Sequence, residues 1–160
     1  MKKVGFIGMG NMASAIAGGI IKSGFISGDL VYAFDIDNSK LDAVNKTYGI
    51  NGCTSEQELV NQVDIVIMAV KPNIVESVIN KIKENLHNKA MISIVAGYNN
   101  DRYNELLLPS SRHLTVMPNT PALVLKGMTL LEKENSLSDE EFTFAKEMFS
   151  SIGQIAILPS

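Results

Sequence analysis

Apolar residues recur along the chain in two alternating arrangements, short continuous runs and longer segments with helical spacing. A run that is apolar on both faces is typical of a strand in a parallel sheet covered by helices on each side. Such runs predict strands at residues 4–7, 30–34, 65–70, 91–96 and 114–117, with a final short strand at 154–158.

The intervening segments carry apolar residues every three or four positions, which indicates helices with one buried face. The first covers residues 12–21, with Gly24 as its stop signal, and a second starts at Asp37-Asn38-Ser39. Pro72 opens a third, because proline is tolerated in the first helical turn. A last amphipathic helix spans residues 142–152.

The alternation of strands and helices predicts the fold class. It favours a doubly wound, mostly parallel Rossmann-type α/β sheet with helices on both faces. Ligands of such sheets bind at the carboxyl ends of the strands. We therefore expect the functional residues directly after Ile7, Phe34, Met68, Ile94 and Val116.

Composition narrows the classes of function. The 160 residues fit one domain, and a formal net charge of −3 without a basic cluster argues against nucleic-acid or membrane partners. The single cysteine, Cys53, cannot form an internal disulfide, and we interpret it as a passive thiol in a cytoplasmic protein. We find no spacing of metal ligands and expect no metal site.

The strongest motif is Gly8-Met9-Gly10-Asn11-Met12-Ala13, which follows a strand and opens a helix. It matches G-x-G-x-x-A, a variant of the dinucleotide-binding fingerprint. Gly8 permits a tight turn, and Gly10 lets main chain approach a pyrophosphate. Glycines that only make a tight turn are the plainer interpretation.

Asp35 stands where the second strand ends, the usual place for the ribose of an adenosine. A carboxylate there would accept hydrogen bonds from ribose hydroxyls and repel a 2′-phosphate, which favours NADH over NADPH. Asn38, Ser39 and Lys40 follow and could bind a phosphate instead. A purely helix-capping role for Asp35 stays open.

Three further motifs stand at strand ends: Ala69-Val70-Lys71-Pro72, Val95-Ala96-Gly97 and Met117-Pro118-Asn119-Thr120-Pro121. Together with the glycine-rich loop, and in this order, they resemble pyrroline-5-carboxylate reductase. The resemblance covers essentially all 160 residues but only the first part of that family's chain. It implies an enzyme that reduces 1-pyrroline-5-carboxylate to L-proline with NADPH or NADH.

The resemblance also implies the cofactor contacts. The glycine-rich loop would line the pyrophosphate, Asp35 the adenosine ribose, and the later motifs the nicotinamide and its ribose. The implied cofactor-binding residues are Ile7, Gly8, Met9, Gly10, Asn11, Met12, Asp35, Ala69, Val70, Lys71, Pro72, Val95, Ala96, Gly97 and Asn119.

The chain departs from the family in two respects. Thr115 stands where members often carry arginine, and residues 1–160 would form the cofactor-binding domain without the family's helical C-terminal domain. That domain makes the family's homodimer and supplies much of the substrate pocket, so the oligomeric state of this chain stays open. We identify no catalytic residue: we interpret His87 as solvated and His113 as structural, while Tyr98 could border the site.

Two alternatives remain beside a reductase domain that is inactive alone. One is a stand-alone dinucleotide-binding module that senses or regulates without turnover. The other is a related Rossmann reductase that acts on a different imine or on a hydroxy acid.

Overall fold

The computed structural model describes residues 2–118 and 127–158, which form one eight-stranded sheet with six helices. The strands are β1 (Val4–Ile7), β2 (Val31–Phe34), β3 (Asn51–Gly52), β4 (Ile65–Met68), β5 (Ala90–Ser93), β6 (Arg112–Pro118), β7 (Gly127–Glu132) and β8 (Gly153–Leu158). The helices are α1 (Asn11–Lys22), α2 (Asn38–Tyr48), α3 (Glu56–Gln62), α4 (Val75–Ile82), α5 (Asn100–Leu106) and α6 (Asp139–Ser150).

The strand order is β3-β2-β1-β4-β5-β6-β7-β8. Neighbouring strands are parallel except for β6 and β7, which are antiparallel. The chain moves outward from β1 to β3 and then crosses back to place β4 beside β1. This reversal of direction opens a crevice at the carboxyl ends of β1 and β4, where doubly wound sheets bind ligands. The predicted fold class is confirmed.

Both faces of the central strands β1, β4 and β5 are buried, as their apolar sequences predicted. Side chains alternate between the faces of a strand, so in β4 Ile65 and Ile67 join one hydrophobic cluster while Val66 and Met68 join the other. The first cluster lies under α1 and α6, and the second under α3, α4 and α5.

Local signals explain where several helices begin and end. Asp37 caps α2, its carboxylate accepting the main-chain N–H of Ser39 at 3.0 Å. Ser138 and Glu141 form a capping box at the start of α6. Pro72 opens a 3₁₀ turn, from which α4 continues at Val75. Gly24 lies just beyond α1, as expected for a stop.

Four elements were missed, and several predicted bounds were shifted: β6 spans Arg112–Pro118 and not 114–117, and α6 spans Asp139–Ser150 and not 142–152. The sequence interpretation did not include β3, α3, α5 or β7. It also extended β4 to residue 70 and β5 to residue 96, whereas these strands end at Met68 and Ser93. The apolar residues beyond both ends leave the ladder and line the crevice instead.

Candidate functional site

The glycine-rich loop turns sharply between β1 and α1. Gly8 has φ of +95°, a conformation that L side chains rarely adopt, and its N–H donates to the carbonyl of Phe34 at 2.8 Å. A Cβ on Gly8 would lie 2.7 Å from the carbonyl oxygen of Ala69. Gly8 is therefore required by the turn itself, because β1 and β4 end side by side here.

Gly10 has a different role. Its φ of −71° is open to any residue, and a Cβ added there would meet nothing within 4 Å. It precedes the twelve-residue helix α1, where no side chain caps the first main-chain N–H groups and the first turn holds no acidic residue. The loop thus presents free donors at the positive end of a helix dipole, beside open space that a larger side chain would fill.

Asp35 joins the loop to the end of β2. One carboxylate oxygen accepts the N–H of Met9 at 2.7 Å, and the other accepts the N–H of Asp37 at 2.8 Å. Met9 is buried, whereas Asp35 is half-buried and lines the crevice. Asp35 therefore anchors the loop while lining the crevice, and the cap of α2 is Asp37 rather than Asp35.

The crevice has two parts. We call the first part the adenosine-side cleft, after its proposed occupant. Its volume is about 390 Å³. It is lined by Ile7, Gly8, Met9, Gly10, Phe34, Asp35, Ile36, Asp37, Lys40, Glu56, Ala69, Val70, Lys71, Ile74 and Val78. Eight of these positions are among those implied by the family resemblance.

The apolar residues at the rim of this cleft were not predicted. Ile36 is 86% exposed, and Ile74 is also exposed, although both border the same cleft. Exposed aliphatic side chains of this kind suit the faces of a flat ring. The buried Glu56, which pairs with Lys81 at 3.5 Å, was also missed because α3 itself was not predicted.

The second part lies where β5 and β6 end, and we call it the nicotinamide-side cleft, after its proposed occupant. Its volume is about 530 Å³. It is lined by Met12, Ile94, Val95, Ala96, Gly97, Tyr98, Asn99, Thr115, Val116, Met117, Pro118 and Glu132. Its wall is mainly apolar, and Tyr98 donates its hydroxyl hydrogen to the carbonyl of Pro72 at 3.2 Å. Tyr98 thus borders the site.

Two of the cofactor-binding residues that the family resemblance implies line neither the adenosine-side nor the nicotinamide-side cleft. Asn11 is exposed at the start of α1, and Pro72 reaches the second cleft only through the bond to Tyr98. Asn119 lies outside the described residues. The assignment of cofactor contacts therefore stays a prediction.

Thr115 is a buried polar residue that the sequence analysis did not assign to the site. It is 2% exposed, lines the nicotinamide-side cleft, and its hydroxyl has no hydrogen-bond partner among the described residues. Ser93, its partner across the β5–β6 ladder, is hydrogen-bonded to Tyr103 at 2.6 Å. Burial is the main reason that the pKa of Tyr103 rises to about 12, so this hydroxyl stays protonated.

The other titratable candidates lie away from the two clefts. His113 is buried, and its Nε2 is 2.9 Å from Oδ1 of Asn104. Burial raises the pKa of Cys53 to about 11, with Glu58 adding to the effect, so its thiol is poorly reactive. Within residues 2–118 and 127–158, His, Cys, Asp and Glu side chains form no group of three able to hold a metal ion.

The helices of the same ranges include none that is both long enough and apolar enough to cross a membrane.

Comparison with known proteins finds relatives that carry the same name in different organisms. Pyrroline-5-carboxylate reductase of Escherichia coli K12 is 34% identical over 98% of this chain, and that of Methanosarcina acetivorans is 33% identical over 99%. The chain spans about three fifths of each relative, 59% in both cases.

Solved structures agree with these relatives. Plasmodium falciparum pyrroline carboxylate reductase, solved with NADP bound, superposes with a TM-score of 0.88 at 32% identity, over 98% of this chain and 57% of that one. A pyrroline-5-carboxylate reductase of Coxiella burnetii gives a TM-score of 0.93 at 26% identity, over 99% of this chain and 59% of that one.

A family profile matches residues 3–97, which include the glycine-rich loop, Asp35 and the strand end at Ala69. The profile therefore covers more than half of the chain and every residue that lines the adenosine-side cleft. The chain belongs to the family described as NADP oxidoreductase, coenzyme F420-dependent.

Proposed function

We propose that this chain is the cofactor-binding part of a pyrroline-5-carboxylate reductase, with NADH or NADPH bound across the two clefts. The observation that carries the proposal is the open space at Gly10, beside uncapped donors at the start of α1. Relatives of that name, matched over nearly the whole chain, support the choice of reaction. In this proposal residues 1–160 form one domain, in the cytoplasm.

The pyrophosphate would lie against Gly10. Main-chain N–H groups at the start of α1 would donate to its oxygens, and the helix dipole favours its negative charge. Asp35 holds the loop in position through the N–H of Met9. The loop is therefore shaped before the ligand arrives, which lowers the entropic cost of binding.

The adenosine would occupy the adenosine-side cleft. Asp35 keeps lone pairs for ribose hydroxyls, because a carboxylate has about four acceptor positions and only two are used here. Ile36 and Ile74 offer apolar surface to the adenine ring. Lys71, at the junction of this cleft with the following turn, would supply positive charge toward a phosphate or a substrate carboxylate.

The nicotinamide would lie in the nicotinamide-side cleft. When bound, it supplies a hydride to the carbon of a C=N bond, and a proton must reach the nitrogen to give the amine. Met12, Val95 and the main chain of residues 96–97 would exclude water and hold the ring in one orientation. Asn119 would contact the nicotinamide from the adjoining segment.

The described residues supply no suitable proton donor. His113 is buried away from both clefts, and Tyr103 is bonded to Ser93. The proton and most of the groups that hold the substrate carboxylate would therefore come from a further domain, with Lys71 as the cation that the described residues could add. We expect this chain to bind cofactor but to be inactive alone.

Binding is tested by titrating the 160-residue chain into NADH and into NADPH and following nicotinamide fluorescence. Gly10→Ala is the matched variant, because open space surrounds its methyl and a loss of binding is then not caused by a clash within the protein. We expect the variant to weaken binding at least about tenfold, by obstructing the pyrophosphate. Absence of binding to the unmodified, folded chain would overturn the proposal.

Turnover is tested by joining the chain to the segment of the Escherichia coli relative that it does not match. NAD(P)H oxidation with 1-pyrroline-5-carboxylate is then measured beside the intact relative. We expect turnover by the joined chain and none by residues 1–160 alone. A joined chain that binds cofactor normally but reduces no 1-pyrroline-5-carboxylate would refute the reductase assignment while leaving dinucleotide binding intact.

A further inference from the structure

The start of α2 borders the adenosine-side cleft, and its donors are already occupied. The carboxylate of Asp37 accepts the N–H of Ser39 at 3.0 Å and the hydroxyl hydrogen of Ser39 at 2.5 Å. A phosphate attached to the ribose 2′-oxygen needs donors of this kind, since it carries up to two negative charges. Here the carboxylate of Asp37 takes the place of such a phosphate, because it already accepts both hydrogen bonds from Ser39.

Asp35 adds a second carboxylate at the same place. Because its oxygens accept the N–H groups of Met9 and Asp37, it is held at the end of β2 and cannot turn away from a ligand without breaking both bonds. Its remaining lone pairs can accept hydrogen bonds from hydroxyls but repel a phosphate. The two acidic residues thus lie two positions apart, and the main-chain N–H of Asp37 donates to the carboxylate of Asp35.

The charged groups near the start of α2 are two carboxylates and one ammonium group. Asp35 and Asp37 line the cleft there together with Lys40, whereas Glu56 is paired with Lys81. Hydrogen bonds from Ser39 are the main cause of a lowered pKa for Asp37, and Lys40 contributes through its charge. Asp37 is therefore ionised at neutral pH, and Lys40 already acts on that carboxylate.

We propose that Asp35 and Asp37 together make this chain selective for NADH, with Asp37 blocking the position of the 2′-phosphate of NADPH. The inference rests on the proposed function and deepens it. Asp35 can accept a hydrogen bond from a free 2′-hydroxyl. Asp37 already accepts the hydrogen bonds from Ser39 that a 2′-phosphate would otherwise receive. The preference thus depends on a capping residue and not only on the acidic residue that ends β2.

The adenosine end is tested by calorimetric titration of the 160-residue chain with ADP-ribose and with 2′-phospho-ADP-ribose. These probes lack nicotinamide, so they report only on the pyrophosphate and adenosine sites. NADH and NADPH are titrated in parallel by fluorescence. We expect both unphosphorylated ligands to bind at least about tenfold more tightly than their 2′-phosphorylated counterparts, since two carboxylates oppose the added charge.

Two substitutions separate the charge of Asp37 from its occupation of the donors. Asp37→Asn removes the charge but still accepts from Ser39, whereas Asp37→Gly removes both and remains a tolerated residue at the helix cap. We expect the ratio of NADPH to NADH dissociation constants to fall about threefold in the first and about tenfold in the second. Asp42→Ser, an exposed change of equal charge on α2, controls for long-range electrostatics.

The outcomes distinguish the two levels of proposal. Failure of all four ligands to bind contradicts the proposed function. Equal binding of phosphorylated and unphosphorylated ligands overturns the selectivity while leaving that function standing. If Asp37→Gly changes the preference no more than Asp42→Ser does, Asp37 is only a helix cap.

Discussion

The φ of +95° at Gly8 brings this residue so close to Ala69 that an added Cβ would lie 2.7 Å from its carbonyl oxygen. The obstructing atoms are main chain of the segment that follows β4, so they cannot move as the end of a flexible side chain would. We predict that Gly8→Ala lowers the free energy of unfolding by about 2 kcal/mol or more, from backbone strain and contact together. Urea denaturation followed by circular dichroism measures the loss.

Gly10→Ala gives the internal comparison, because the same methyl group there meets no atom within 4 Å. Equal unfolding midpoints for this variant and the unmodified chain are expected. If Gly8→Ala were as stable as Gly10→Ala, the close approach of Gly8 to Ala69 would not exist in solution. The two glycines of one motif would then have to be assigned the same role.

The turn at Gly8 could be predicted from sequence because it depends on local geometry, whereas the role of Gly10 toward a pyrophosphate stays a prediction. A short strand, two glycines and a helical pattern follow one another within about twenty residues, and each signal agrees with the next. The same holds for the helix start at Asp37, where a side chain bonds main chain two residues away. The capping box of Ser138 and Glu141 is equally local, but the sequence interpretation started that helix at residue 142 and missed it.

Elements fixed by distant contacts were the ones missed. The two-residue β3 exists only because it pairs with β2, and α5 has a single fully buried side chain, Tyr103. The hydrophobic pattern of β7 gives no information on its pairing, which is antiparallel to β6 and parallel to β8. Likewise, Glu56 and Thr115 reach the clefts through packing between strands and helices that no local motif encodes.

Thr115→Val should stabilise the protein by about 1 kcal/mol, because it replaces a buried hydroxyl without a partner by a methyl of similar size. The neighbouring Ser93, whose hydroxyl bonds Tyr103, is the control: Ser93→Ala should instead destabilise. Thermal unfolding of both variants measures the difference. Destabilisation by Thr115→Val would mean that the hydroxyl binds ordered water in solution.

His113 should make stability fall as the pH decreases below about 6.5, its ordinary pKa. Burial lowers the pKa of His113, so between the folded and the ordinary value the unfolded chain binds more protons and is favoured. The geometry agrees: Nε2 faces Asn104, whereas a proton on Nδ1 would find no acceptor among the described residues. Tyr103 is the aromatic ring packed nearest.

The measurement compares urea unfolding at about pH 7.5 and about pH 5.5, a range in which a buried neutral histidine dominates the change. His113→Gln should reduce the loss of stability on acidification, whatever its effect at the higher pH. His87→Gln, at an exposed helix-end position, should leave it unchanged. An undiminished loss in His113→Gln would show that other groups cause the pH dependence.

Arg112 and Glu141 join the start of β6 to the first turn of α6 by two hydrogen bonds of 2.8 and 2.9 Å. Although burial opposes ionisation, the bonds from Arg112 and Ser138 and the charge of Arg112 lower the pKa of Glu141. A double-mutant cycle with Arg112→Gln and Glu141→Gln isolates the pair, because glutamine still completes the capping box with Ser138. We expect a coupling of about 1–2 kcal/mol, reduced by the partial exposure of the guanidinium.

The same cycle on Arg102 and Glu105 provides the control within this chain. That pair lies on the surface of α5 at 3.2 Å, with exposed fractions of 43% and 69%, so its coupling should stay below about 0.5 kcal/mol and vanish in salt. The Arg112–Glu141 coupling should persist in salt, since Glu141 is buried between β6 and α6. Equal couplings for the two pairs would mean that burial of Glu141 adds nothing, and α6 would then be held to the sheet by its apolar face alone.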